Sequence, residues 1–233
     1  ASATAINLAD SGKRVMLAST DPASNLQDVF DTELTNKPKE IANVPGLFVA
    51  NFDPVTAAAE YRESVIGPYR GILPETAINN MAEQLSGSCT VEIASFNEFA
   101  NFLTDPEVDQ KFDYIIFDTA PTGHALRMLQ LPSAWNNYLD ENDRGASCLG
   151  QLAGMDDKKA MYEKAVVTLN DPELTTLMLV TRPQKASLLE ADRAAQELAA
   201  IGIKNQQLII NGTLKDPTDL PSQTIFTQQQ NDL

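Results

Sequence analysis

Tyr114-Ile115-Ile116-Phe117-Asp118 is the clearest strand in the sequence, a continuous apolar run that ends in a carboxylate. A short run without polar alternation is typical of a strand buried on both faces of a parallel sheet. Four other runs share this character, and each leads into a polar or turn-forming residue: Val15 to Thr20, Leu47 to Phe52, Leu177 to Thr181 and Leu208 to Ile210. The sequence therefore predicts strands along most of the chain.

Helix-length segments separate these strands. Apolar residues recur near every third or fourth position in Thr90 to Leu103, and Ser187 to Ile201 has a similar apolar face. Strands that alternate with helices predict an α/β fold, with a mainly parallel sheet flanked by helices. Residues at about 54–110 and 136–172 are less strand-like, and we expect helical insertions or a subdomain there. We expect residues 1–233 to form a single incomplete domain.

Charge and composition exclude several classes of protein. The chain has 17 Lys and Arg against 32 Asp and Glu, a net charge of −15, which disfavours nucleic-acid binding and polybasic attachment to membranes. Its apolar runs are too short to span a bilayer, and no secretory signal is visible at Ala1. Two cysteines do not make a disulfide framework. We expect an acidic cytosolic domain.

Polar residues at strand ends are the first candidates for chemistry, because parallel sheets bind ligands at the carboxyl ends of their strands. Asp118 could support Mg²⁺, directly or through water, and Asp21 could orient or activate an attacking water. Either could instead cap the turn or helix that comes after it. Asn211 could read adenine through its amide, or simply form a strand-ending turn before Gly212.

The single histidine and the two cysteines are further candidates. A lone histidine is more often structural, but His124 shares a Gly- and Pro-bearing loop with Asp118. Cys89 lies just before a helical pattern, where a helix N-terminus favours the thiolate, and Cys148 lies in a glycine-bearing loop. Neither belongs to a CxxC pair, which argues against zinc within one chain. Such thiols are often inert, although soft thiolates suit As(III) and Sb(III), which would need a third thiolate from elsewhere.

Together these residues resemble the arsenical pump-driving ATPase family, whose eukaryotic relatives target tail-anchored membrane proteins. Gly12 to Asn25 resembles the first switch of the family, and Phe117 to His124, continued by Arg127 to Pro132, resembles its second switch. The string DTAPTGH at 118–124 is highly specific. The resemblance covers nearly the whole chain, and it implies a nucleotide-binding domain with the P-loop NTPase fold of the deviant-Walker, SIMIBI-like type.

The cysteine segments separate the two branches of this family. Leu85 to Ile93 and Gly145 to Gly150 resemble the metalloid-cysteine segments of the arsenite branch. The zinc-binding CxxC and the longer Met-rich region of the targeting branch are not in the sequence. The resemblance therefore implies Cys89 and Cys148 as metalloid ligands, with His124 as a secondary metalloid contact or a signalling residue between the two sites.

The resemblance also implies an activity and its partners. Mg²⁺ and ATP would be bound with Asp21 acting on the hydrolytic water, Asp118 supporting Mg²⁺ through water, and Asn25 and Asn211 contacting the nucleotide. Hydrolysis would be stimulated by As(III) or Sb(III) and coupled to efflux through an integral-membrane partner. A second ATPase half or a homodimer mate would complete the enzyme, which would be cytoplasmic and peripheral to the inner membrane, without nucleic acid or direct membrane insertion.

One departure from the family pattern sets a further expectation. The glycine-rich phosphate-binding loop is not in the printed sequence, and both ends of the chain fall within helical patterns. We therefore expect a fragment that hydrolyses little or no ATP by itself. The alternatives are an ATP-dependent targeting factor for tail-anchored proteins, a partitioning or division-site ATPase of the same superfamily, and a non-catalytic α/β binding domain.

Overall fold

The computed structural model describes residues 1–21, 23–119, 155–215 and 217–233. These residues fall into two compact units, Ala1–Ala165 and Val166–Leu233. His124, Cys148 and the second-switch residues after Thr119 lie outside the described residues. The assignment of residues 1–233 to one domain stays a prediction.

The first unit contains a four-stranded sheet in the order β2-β3-β1-β4. Its strands are β1 (Val15–Ser19), β2 (Lys39–Glu40), β3 (Leu47–Asn51) and β4 (Tyr114–Asp118). The central strand β1 pairs in parallel with both β3 and β4, and only the two-residue β2 is antiparallel. The predicted α/β fold with a mainly parallel sheet is thus confirmed.

Helices cover both faces of this sheet. Among the described residues, the α-helices of the first unit are α1 (Ser2–Asp10), α2 (Leu26–Phe30), α3 (Pro54–Ile66), α4 (Glu75–Gln84), α5 (Ser88–Thr104), α6 (Pro106–Lys111) and α7 (Met155–Asn170), the last of which continues into the second unit. Every residue of β1 is buried, as its uninterrupted apolar run predicts. Val15 and Leu17 pack in the cluster that contains Ala5 and Ala9 of α1, whereas Met16 packs in the cluster on the opposite face.

The path into β3 requires a glycine. Gly46 has a φ of +83°, and a Cβ atom there would lie 3.1 Å from the carbonyl oxygen of Lys13. Its own carbonyl accepts a hydrogen bond from the Val15 N–H at 2.8 Å. A side chain at this position would combine left-handed strain with a close contact, so glycine fixes the start of the β1–β3 pairing.

The connection from β3 to β4 consists of helices and turns. Helices α3 and α5 meet through small residues, Ala57, Ala58 and Ala94, which allow the two backbones to approach. On the sheet side of α5, the Phe99 ring lies 4.5 Å from the Phe117 ring of β4, measured between centroids. This helical content agrees with the sequence pattern, and the description of 54–110 as an insertion stays a prediction.

The second unit is built around two parallel strands, β5 (Leu177–Thr181) and β6 (Gln206–Ile210). Helix α8 (Lys185–Ala200) connects them, and α9 (Leu220–Asp232) comes after a capping box at Asp219. Among the residues that the structure describes in either unit, no helix is long and apolar enough to cross a membrane.

Candidate functional site

The carboxyl ends of β1 and β4 lie side by side. Ser19 is level with Asp118 in the parallel register, and the Thr20 N–H donates to the Asp118 carbonyl oxygen at 3.0 Å. Asp21 lies two residues beyond Ser19, so both predicted carboxylates lie at one edge of the sheet, at the ends of adjacent strands. Both residues are partly buried. This is the edge at which parallel α/β sheets bind ligands.

Hydrogen bonds hold the backbone around Asp21. Its N–H donates to Ser19 Oγ at 3.2 Å, and its Oδ1 accepts the Ala23 N–H at 2.9 Å, which closes an Asx turn. A second turn bond joins the Ser24 N–H to the Asp21 carbonyl oxygen at 3.0 Å. The capping role that the sequence left open for Asp21 is therefore present, although it uses only one of the two carboxylate oxygens.

Asn25 lies at the end of this loop. It is exposed and occupies the N-cap position of α2, where its side chain makes no capping hydrogen bond. Helix α2 has only five residues and ends before Asp31, whose φ is +45°. The amide of Asn25 is thus left available at the same edge of the sheet as Asp21, as a nucleotide contact requires.

A shallow groove of about 390 Å³ opens beside Asp21. It is lined mainly by polar residues from the ends of β1 and β3 and from the chain between them: Asp21, Gln27, Leu34, Thr35, Asn36, Asn51, Phe52, Asp53, Pro54 and Thr56. Asn51 Oδ1 is buried and accepts no hydrogen bond from the described residues. Sequence reasoning missed Asn51 and Asp53, and the available signal was a second Asp-Pro pair directly after an apolar strand.

Asp53 has a well-defined structural role. Its carboxylate accepts hydrogen bonds from Thr56 Oγ1 at 2.6 Å, the Val55 N–H at 3.0 Å and the Thr56 N–H at 3.3 Å. The Thr56 hydroxyl, together with the weaker effect of the Val55 N–H, lowers the pKa of Asp53 below its usual range. Asp53 is therefore an N-cap of the 13-residue helix α3, with Pro54 at the first helical position.

The residues at the edge of the sheet fit a magnesium nucleotide. Asp21, Asp118 and the Ser19 hydroxyl are oxygen donors, which Mg²⁺ prefers. Within the described part of the chain, no group of three or more His, Cys, Asp or Glu residues could hold a metal ion. Mg²⁺ is usually held by one or two carboxylates together with waters and substrate phosphates rather than by a protein cage.

The other predicted site residues lie in the second unit, at the start of α5 or outside the described residues. Asn211 comes directly after β6 in the second unit, where it is exposed and its N–H donates to the Thr181 carbonyl oxygen at 2.7 Å. Cys89 is the second residue of α5, because this helix begins at Ser88, two residues earlier than the apolar pattern indicated. The structure does not describe His124 or Cys148.

Comparison with known proteins gives one family. The family model described as Anion-transporting ATPase matches residues 1–232. An "Arsenical pump-driving ATPase" of Acidiphilium multivorum is 51% identical over 214 residues, which cover 92% of this chain and 37% of that protein. An Escherichia coli protein of the same name is 49% identical over 231 residues, covering 98% and 40% respectively. An "ATPase GET3" of Eremothecium gossypii is 30% identical over 233 residues, covering 91% and 66%. The chain thus spans less than half the length of these arsenical pump-driving relatives.

Proposed function

The chain belongs to the anion-transporting ATPase family, and on that premise we propose that it forms part of a Mg²⁺-dependent ATP hydrolase that drives arsenical efflux. One observation carries the hydrolase proposal, namely the placement of Asp21 and Asp118 at the carboxyl ends of two adjacent parallel strands. This geometry allows two carboxylates to serve one phosphate site with separate tasks.

Each carboxylate has the task that suits its position. Asp118 ends β4 and would support Mg²⁺ through water. Asp21 lies in the loop after β1, where its second oxygen is available to orient or activate the attacking water. When bound, Mg²⁺ neutralises charge on the phosphate oxygens. Asn25 contacts the nucleotide at the same edge, and Asn211 contacts adenine.

Metalloid binding would supply the stimulus for hydrolysis. We assign As(III) or Sb(III) to Cys89 and Cys148, with His124 as a secondary contact and a third thiolate from a second ATPase half or a homodimer mate. Identities of 49–52% to proteins named arsenical pump-driving ATPases support this branch of the family. A ligand shared by two halves favours their closed state, which is how its binding can be coupled to hydrolysis.

The proposed membrane partner and location also come from the arsenite branch of the family. An integral-membrane efflux protein carries the metalloid, and the ATPase acts from the cytoplasm, peripheral to the inner membrane. The GET3 relatives, at about 30% identity, favour a second candidate, an ATP-dependent targeting factor for tail-anchored membrane proteins. The two candidates differ in their thiol dependence, because only the first requires both cysteines.

The test is ATP hydrolysis by this chain joined to a glycine-rich phosphate-binding loop of the family, with and without antimonite. The expected result is stimulation by antimonite that the Cys89→Ser/Cys148→Ser variant loses while it keeps its basal rate. Asp28→Asn, a change on the exposed face of α2, serves as the control and should behave like the unmodified protein.

Two results would change the proposal. Hydrolysis without any response to antimonite would favour the targeting candidate and retain the nucleotide site. If Asp21→Asn and Asp118→Asn both hydrolysed ATP at the unmodified rate, the proposed catalytic edge would be wrong.

A further inference from the structure

The pair Asn211-Gly212 lies at the carboxyl end of β6, and both of its residues are exposed. It is the single Asn-Gly pair in the sequence. Gly212 has a φ of +77°, and a Cβ atom there would lie more than 4 Å from every described residue other than its chain neighbours. The backbone of this pair is therefore accessible, with open space beside the Cα atom of Gly212.

Hydrogen bonds hold the chain on both sides of the pair. The Asn211 N–H donates to the Thr181 carbonyl oxygen at 2.7 Å, and the Gly212 carbonyl oxygen accepts from Gln229 Nε2 of α9 at 3.1 Å. Within the described residues, no hydrogen bond engages the Asn211 side-chain amide or the Gly212 N–H. The fold thus anchors the backbone and leaves available the two groups that can react with each other.

We propose that Asn211-Gly212 is a site of spontaneous covalent modification, at which the asparagine loses its amide. The Gly212 nitrogen attacks Cγ of Asn211, and a new C–N bond closes a five-membered succinimide ring. The bond from Cγ to Nδ2 breaks, and the Gly212 proton leaves with the amide nitrogen as ammonia. Water then opens the ring at either carbonyl group, which gives an aspartate or an isoaspartate without any oxidation or reduction.

Glycine favours this reaction because it has no Cβ atom. A side chain on the residue after an asparagine shields the attacking nitrogen and restricts the backbone rotation that brings this nitrogen to Cγ. The open space beside Gly212 also accommodates the additional backbone methylene of an isoaspartate. The local structure therefore permits both the attack and either of its products.

Asn205, at the other end of β6, shows how the same unit protects an asparagine. Its Nδ2 lies 3.0 Å from the Pro172 and Thr175 carbonyl oxygens and 2.9 Å from Thr176 Oγ1. The next residue, Gln206, carries a side chain and lies in β6. These hydrogen bonds must break before Cγ of Asn205 can be attacked. Since each contributes about 1 kcal/mol, Asn205 should react more than about tenfold more slowly than the exposed pair.

The modification would remove a contact to the nucleotide, a consequence that rests on the proposed function. Asn211 is the adenine contact assigned there, and its amide can donate as well as accept hydrogen bonds. An ionised carboxylate in its place can only accept. It also adds a negative charge to a chain whose net charge is already −15. The affinity of the enzyme for ATP would then fall as the molecules age.

The experiment incubates the full chain at neutral pH and follows it by mass spectrometry that assigns each change to one residue. Asn211 should gain mass as its amide is replaced by a carboxyl group, and the ammonia released should match this conversion. Asn205 should change more than about tenfold more slowly. The rate at Asn211 should rise with pH, because the attacking nitrogen must give up its proton.

Two variants identify the reacting groups. Asn211→Gln should release ammonia more slowly, because the longer side chain must close a six-membered ring. Gly212→Ala keeps the asparagine and should also slow the reaction, because it places a Cβ atom beside the nitrogen. An alanine is strained at a φ of +77°, so if Gly212→Ala does not fold, Asn211→Gln carries the test. Asn231→Gln, the same change at an exposed asparagine of α9, should leave the release of ammonia unchanged.

The outcomes separate the modification site from the proposed function. If Asn211 keeps its amide in the folded chain but loses it in urea, the fold protects the pair and the modification site is overturned. Equal rates at Asn211 and Asn205 in the folded chain would overturn it as well, because the local structure would then have no influence. If Asn211 is converted in the chain joined to a phosphate-binding loop and the KM for ATP stays the same, the modification site stands and the adenine contact is wrong.

Discussion

The loops after β1 and β3 share an Asp-Pro dipeptide but continue into different local structures. Asp53-Pro54 starts a helix of 13 residues, and the Asp53 carboxylate is fully engaged as its N-cap. Asp21 accepts the Ala23 N–H in a turn, and α2 begins only at Leu26 and has five residues. In this loop after β1 the Asp21 carboxylate uses one oxygen for the Ala23 N–H.

The difference shows that an Asp-Pro pair after a strand can either cap a helix or leave a carboxylate oxygen at the edge of the sheet. An aspartate after a strand stabilises a helix when the next residues form a helical turn and donate hydrogen bonds to both carboxylate oxygens. Both oxygens are then occupied by the helix. When the chain instead forms an Asx turn, the second oxygen stays at the edge of the sheet. The groove between the two loops is lined by both aspartates, so substitutions can compare them within one surface.

The largest expected effect is that of Asp21→Asn on hydrolysis. In the chain joined to a phosphate-binding loop, ATP turnover should fall by about 10²–10⁴-fold, because an amide cannot accept a proton from the attacking water. The Asn side chain can still accept the Ala23 N–H, so the free energy of unfolding should change by less than about 0.5 kcal/mol. A turnover loss matched by unfolding in urea would contradict the assignment of Asp21 to chemistry.

Asp118→Asn should have a smaller effect, and it should change the Mg²⁺ requirement of hydrolysis. Residues that act on a metal ion through an intervening ligand typically change its affinity by about 10–100-fold, so the Mg²⁺ concentration for half-maximal hydrolysis should rise about tenfold. Saturating Mg²⁺ should recover most of the activity. A loss that no Mg²⁺ concentration recovers would show that Asp118 acts directly on the reacting groups.

Asp53→Ala should affect stability and leave hydrolysis nearly unchanged. Loss of an N-cap costs about 1 kcal/mol, which for a chain of this size lowers the thermal midpoint by about 2–4 °C. Asp53→Asn keeps one acceptor oxygen for an N–H group of the first helical turn and is the matched control. If Asp53→Ala were as stable as the unmodified chain but inactive, the roles of the two loops would be reversed.

The smallest expected effect is the pH dependence of this cap. The folded state lowers the pKa of Asp53, mainly through the Thr56 hydroxyl, so the cap contributes stability above the unfolded-state pKa. That contribution is lost as the pH falls through the lowered folded-state pKa. Urea unfolding at about pH 7 and about pH 3 should show a larger acid-dependent loss of stability in the unmodified chain than in Asp53→Asn. An identical loss in Asp53→Asn would assign it to other carboxylates.

The sequence predicted the strands well because parallel strands are often continuous apolar runs, although β4 and β5 are only partly buried in the described structure whereas β1 is buried throughout. The runs that begin at Val15, Leu47, Tyr114 and Leu177 each correspond to a strand within one or two residues. The fifth strand begins two residues earlier than predicted, at Gln206, because its side-chain amide donates to the Ala195 and Ile203 carbonyl oxygens and is satisfied without an apolar face.

Features that depend on distant contacts could not be predicted in this way. Lys39–Glu40 pairs with β3 although it has no apolar residue, because backbone hydrogen bonds alone make that short edge strand. The two Asp-Pro pairs are indistinguishable by themselves, and the residues after them decide whether a helix forms. The contact between Asn97 and Tyr162 spans 65 positions, and no local pattern marks either residue. The roles of Asp21, Asp118 and the two cysteines stay predictions.

The register of β1 has a consequence for the order of folding. Its pairing with β3 closes a loop of roughly 30 residues, whereas its pairing with β4 closes one of roughly 100, an entropic difference of about 1 kcal/mol in favour of the first. In pulse-labelled hydrogen exchange during refolding, amides of Leu47–Asn51 should gain protection before those of Tyr114–Asp118. The edge that carries Asp118 is then completed late, so a newly synthesised chain acquires the proposed nucleotide site only after the rest of this sheet has formed.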